Sequence, residues 1–211
     1  MSTVTVLPKQ GQTFFGGEVP SATAFGQTVA LEGTVKEWPD NITVAGQGAD
    51  GRRSGRSRRS LLVRNTAAFK LLPKRVVKWQ SGFRGRRVDG YCAINDEAVA
   101  GVVDDAVASD GVAIGDLFWL YRKGPTLFRT ALDTTHSAVA MDDILVALTA
   151  ATSGATTAGR VYPWTGLTST VTQTTDGTQS RRTINKIGRA MSATTSGNTN
   201  SDILVDLMLD D

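Results

Sequence analysis

One cysteine (Cys92) and one histidine (His136) among 211 residues leave the chain with little reactive side-chain chemistry. A lone thiol cannot close an intrachain disulfide, so any covalent staple would have to join two molecules. A structural zinc site takes four Cys or His ligands, and this chain offers two at most. Cys92 sits in the apolar stretch Tyr91-Cys92-Ala93-Ile94, which reads as a buried, inert thiol. His136 lies in Asp133-Thr-Thr-His-Ser137, without a Gly-x-Ser-x-Gly elbow to supply a nucleophile, and reads as a loop residue. Long apolar runs are also missing: nothing approaches the roughly 20 residues that span a bilayer. Met1 to Gln10 has no basic region followed by an apolar one, so neither a signal peptide nor a membrane partner is expected, and the protein should be made in the cytoplasm.

Other possible sites dissolve on inspection. Acids come in adjacent pairs, Asp96-Glu97, Asp104-Asp105, Asp142-Asp143 and Asp210-Asp211. Neighbours on a strand point to opposite faces, which makes them poor acid/base dyads, and the pairs read as solvated turns and edges. None matches a calcium-loop spacing. The glycines form no phosphate-binding loop, and Gly46-Gln-Gly48 lacks the strand-to-helix setting of a dinucleotide site. The expectation is a non-enzymatic protein with no catalytic residues, no cofactor, no metal and no small-molecule substrate.

What the chain does have is segregated charge. Residues 51–90 carry thirteen Lys and Arg against one acid, Asp89, whereas residues 91–150 carry three basic residues against nine acids. Arg52, Arg53, Arg56, Arg58 and Arg59 fall within eight residues, inside the Gly- and Ser-rich segment 46–60, which has no side chain able to pack a core. Such a run docks on an acidic protein surface through bidentate Arg–carboxylate pairs, or on phosphates with salt-sensitive, sequence-blind affinity. Aromatic residues there (Phe69, Trp79, Phe83) are too widely spaced for a base-stacking platform. Leu71, Leu72, Val76 and Trp79 follow and must find apolar partners.

The rest reads as strands. Gln27 to Trp38 is rich in β-formers and ends at Pro39-Asp40-Asn41. Beyond Val88, short apolar runs recur between turn residues: 98–103, 117–121, 144–148, 160–164, 187–191 and 203–209. In the last, Ile203, Val205, Leu207 and Leu209 share a face. Lys123-Gly-Pro-Thr126 between two such runs predicts a hairpin. A helix over 137–150 is the alternative to the strand there. The fold class expected is all-β: a small antiparallel β-barrel or sandwich body at 88–211, with a long extended basic N-terminal arm at 1–87 that includes strand 27–38 and basic loop 46–60.

Two segments resemble the head decoration (cement, or head-stabilising) proteins of tailed bacteriophages. One is Asp96-Glu-Ala-Val-Ala-Gly-Val-Val-Asp-Asp-Ala-Val-Ala108 followed by Gly115-Asp-Leu-Phe-Trp-Leu-Tyr-Arg-Lys-Gly-Pro-Thr126. The other is Ile187-Gly-Arg-Ala-Met191, then Gly197-Asn198 and Ile203-Leu-Val-Asp-Leu207. The resemblance spans Tyr91 to Leu209. It implies a barrel-like body, a homotrimer, and attachment to the major capsid protein on the outer surface of an expanded shell, placing the protein in the virion. Arg52, Arg53, Arg56, Arg58 and Arg59 are then the electrostatic docking residues, and Leu71, Leu72, Val76 and Trp79 the apolar anchors onto the shell or a neighbouring protomer. The alternative is a sequence-nonspecific nucleic-acid-binding protein using the basic 51–87 segment.

Overall fold

The computed structural model describes residues 11–13, 22–24, 27–29, 32–39, 57–92, 98–130, 138–147, 158–164, 186–194 and 201–209. Among them are twelve strands and no helix: β1 Ala22–Ala24, β2 Gln27–Val29, β3 Val35–Pro39, β4 Ser57–Asn65, β5 Val76–Trp79, β6 Arg87–Tyr91, β7 Val99–Val103, β8 Leu117–Arg129, β9 Ile144–Ala147, β10 Val161–Pro163, β11 Lys186–Ala190 and β12 Asp202–Met208. The first two pair with each other, and the other ten form one sheet. The chain is therefore all-β, as its alternating and doubly apolar runs require.

Five strands of the sheet close on themselves. β4 pairs with β8 and with β6, β6 with β5, β5 with β7, and β7 with β8. Every pairing in this circuit is antiparallel except the short parallel contact of β4 with β6. Leu61, Val63, Val77, Trp79, Val88, Phe118 and Leu120 fill the inside. From β8 the sheet continues as a wing through β12, β11, β9 and β10. The wing's Phe128, Leu145, Val161, Ile187, Ile203, Val205 and Leu207 pack with Val76, Val102 and Tyr121, which belong to the circuit's own strands. A third cluster joins Leu62, Leu117 and Trp119 with Trp38. Leu61-Leu62-Val63 and Leu117-Phe118-Trp119-Leu120 thus bury both faces of their strands, and strict alternation is absent there for that reason. Burying each of these large side chains contributes about 1.5–3 kcal/mol.

Several expectations change. The hairpin at Lys123–Thr126 does not form, and β8 runs unbroken through it. Gly124 (φ +89) lies just past a register shift, where Arg59 faces Lys123 and Ser60 faces Tyr121. From Lys123 on β8 pairs with β12, so Gly-Pro marks the passage of one strand from barrel to wing rather than a reversal. The strand expected over 27–38 is broken by a turn at Glu32-Gly33, where Gly33 has φ +90. Residues 144–147, by contrast, form the expected strand and not the alternative helix. The boundary drawn at residue 87 coincides with no break in the sheet, because β4 and β5 lie within the same circuit as β6 to β8. Both end strands finish on proline, Pro39 in β3 and Pro163 in β10, which removes a ladder donor from each edge.

Candidate docking surface

The five arginines do not form one set. Arg52, Arg53 and Arg56 lie outside the described residues, as do His136, Asp96, Glu97, Asp210 and Asp211. Arg58 is 2% exposed, held within β4. Its Nη1 donates to both carboxylate oxygens of Asp105, at 2.9 and 3.2 Å, and its guanidinium lies 4.3 Å from the Tyr121 ring centroid. Asp105 follows Asp104, whose side chain is fully buried and accepts from the Ala106 amide at 2.9 Å and the Gly11 amide at 2.6 Å. Asp104-Asp105 is thus a buried acidic turn that organises its surroundings, in place of the solvated turn expected. Asp142-Asp143 does form a turn, capped by Ala140 N–H on Asp143. Arg59 is half-buried on β4 opposite Glu37.

Apolar anchors are mostly spoken for within the chain. Leu71 and Val76 are fully buried, and Trp79 is 5% exposed. Only Leu72 keeps partial exposure, and its amide donates to the Tyr91 hydroxyl at 2.8 Å. Cys92 is buried and forms no disulfide. Close to Val76, cations converge on one acid: Asp202 takes Lys74 and Arg129 (3.3 Å). The buried Arg75 donates to the Ala158 carbonyl at 2.9 Å. Burial, then repulsion by Arg160, pushes Arg75 down to about 10, so it stays charged at neutral pH. Among the described residues no three His, Cys, Asp or Glu side chains gather as a metal site.

A second exposed basic element, a glycine-bearing loop in the sequence at Ser81 to Arg87, is the turn between β5 and β6. Phe83 is 40% exposed at its tip, with Arg84 and Arg86 exposed beside it and the Arg87 guanidinium 4.4 Å from its ring. Gly82 and Gly85 take left-handed φ of +78 and +83, and the Phe83 carbonyl accepts from the amides of Arg86 and Arg87. An aromatic residue bracketed by Ser-Gly and Arg-Gly was the available cue.

Glu32 staples the segment before β3 to this side, its carboxylate meeting Arg64 Nε at 2.5 Å and Arg87 Nε at 3.2 Å. Burial would raise the Glu32 carboxyl, but hydrogen bonds from Arg64 and Arg87 outweigh it and hold the group below its ordinary value. A depressed carboxyl contributes stability at neutral pH that is lost as pH falls through the folded value. Glu32→Gln should therefore show a shallower loss of urea midpoint than the parent between about pH 7 and about pH 3. Superimposable acid limbs would mean that the two pairs contribute nothing measurable.

No protein-family model matches the chain, and no curated protein matches it. Among solved structures the chain is similar to the head fiber gp8.5 N base in bacteriophage phi29, at 15% identity and a TM-score of 0.36, over 72% of this chain and 98% of that one.

Proposed function

We propose that this chain is a non-enzymatic structural protein of a phage virion, a homotrimer that binds the outer surface of the capsid and stabilises the expanded shell. The observation that carries the reading is the root of the basic run. Arg58 is fixed inside the body by Asp105, so Arg52, Arg53 and Arg56 precede an anchored strand in the chain. The docking set is accordingly Arg52, Arg53, Arg56 and Arg59, with Arg58 as their anchor. Phe83, Arg84 and Arg86 add a second basic contact, beside β6, whose Arg87 pairs with Arg64 near the far end of β4. Arg59 and Arg64 are separated by roughly 17 Å of strand. Two linked weak contacts gain effective concentration and hold neighbouring shell subunits against outward pressure. Major capsid protein is the partner, and nucleic acid is the competing one.

Purified particles and a charge-reversed variant test this together. The chain is expected at a fixed ratio to the major shell subunit, of the same order, and to sediment alone with the mass of three chains. Reversing Arg52, Arg53 and Arg56 to glutamate, with Arg58 and the half-buried Arg59 opposite Glu37 kept, should abolish attachment and leave the urea midpoint in place. A few copies per particle, or undiminished attachment of the variant, would overturn the reading. Affinity for duplex DNA that survives physiological salt and disappears in the same variant would put nucleic-acid binding in its place.

A further inference from the structure

We propose that Asp104 and the turn behind it form a carboxylate latch that holds the chain's N-terminal segment at Gly11 and releases it when the carboxylate takes up a proton. The latch is built from parts distant in sequence. Asp104 leaves the end of β7, and its own amide donates to the Trp119 carbonyl on β8 at 3.1 Å, which fixes the side chain's position. One carboxylate oxygen accepts from Ala106 at 2.9 Å and closes the turn, and the other accepts from Gly11 at 2.6 Å. Gly11 stands at φ +75, and a Cβ on it would overlap the Ala106 carbonyl oxygen, so the notch admits glycine and no other residue without rearrangement.

The charged groups facing Asp104 are Arg58, from β4, and Asp105, from the turn itself. Burial, and to a smaller extent Asp105, raise the Asp104 carboxyl; the two amides and Arg58 lower it, and the balance lies at about 6. Both amides donate to the charged form. Protonation therefore weakens the grip on Gly11, by the same linkage through which Gly11 lowers the carboxyl's affinity for a proton. The sign for the whole fold is opposite. A carboxyl raised above its unfolded value gives the folded state the extra proton, so the Asp104 contribution to global stability grows as pH falls through about 6. A latch thus opens at Gly11 while the barrel gains, a pair of opposed trends that general acid unfolding does not produce.

Amide exchange on the full chain reads both. Protection of the Gly11 amide should fall about ten-fold between about pH 7.5 and about pH 5, after correction for intrinsic rates, while protection of the Leu62 and Val63 amides in the barrel should rise. In Asp104→Asn the carboxamide nitrogen meets an amide donor, and Gly11 should exchange fast at both pH values. Should that variant fail to fold, Gly11→Ala leaves the Ala106 bond intact; residue 11 should then exchange fast at both pH values, with the Ala106 amide still protected. Protection at Gly11 that does not change with pH, or that persists in either variant, would overturn the latch. The test does not involve capsids, so its outcome is separable from that of the docking experiment.

Discussion

Arg58→Ala is expected to destabilise the protein by about 3–5 kcal/mol, whereas Arg84→Ala, which removes the same charge, should stay within about 0.5 kcal/mol. The difference is burial. Arg58 is 2% exposed and its partner Asp105 is 8% exposed. Truncating Arg58 leaves the Asp105 charge in a low-dielectric site beside Asp104, and it also removes the guanidinium from the Tyr121 ring. The intact pair is not worth this much in itself. Arg58 Nε is buried without a hydrogen-bond partner, so desolvation is incompletely repaid, and a well-packed apolar replacement of both residues should recover most of the loss. The double variant Arg58→Met with Asp105→Leu is therefore expected to be far closer to the parent than Arg58→Ala. Urea denaturation with unchanged slope is the measurement. A loss under about 1 kcal/mol for Arg58→Ala would show that Asp105 does not anchor it, and would return Arg58 to the docking set with the other arginines.

Strands that carry their own pattern were legible in the sequence. β12 shows why: Ile203, Val205 and Leu207 alternate onto the core, so periodicity alone named strand and face. β7, β9, β10 and β11 were found as short apolar runs between turn residues, with bounds close to those observed. Lys123-Gly124-Pro125 was misread because Gly-Pro punctuates turns and strand bends alike, and only the partner strands tell which. Asp104-Asp105 was misread for a related reason. Adjacent acids look solvated until a guanidinium from position 58 and an amide from position 11 arrive, and neither separation leaves a trace in local pattern. The same holds for Arg58 itself, the fourth arginine of a run whose composition argued for a mobile loop. Leu71, Val76 and Trp79, expected as anchors onto a shell or a neighbouring protomer, find their apolar partners inside this chain.

Gly124→Ala should cost about 2–5 kcal/mol, one of the largest effects available from a single methyl group in this protein. Two terms add. At φ +89 any side chain is strained, and the new Cβ would also overlap the Ser57 carbonyl oxygen and press on Arg58 Cα at 3.2 Å. Gly82→Ala separates them: its φ of +78 is similar, but nothing lies within 4 Å of the new Cβ, so strain alone applies and the cost should be about 1–2 kcal/mol. The excess at position 124 measures how rigidly β4 is held against β8. That rigidity matters because β8 is shared, pairing with β4 and β7 up to Lys123 and with β12 from there on. Moving Ser57 aside would shift Arg58 off Asp105, so Gly124→Ala should be markedly less harmful in an Asp105→Leu, Arg58→Met background, where that pair is already gone. Equal costs at Gly124 and Gly82 would mean that the start of β4 yields freely. The basic run would then have no fixed root, and the geometric support for docking through Arg52, Arg53 and Arg56 would fall with it.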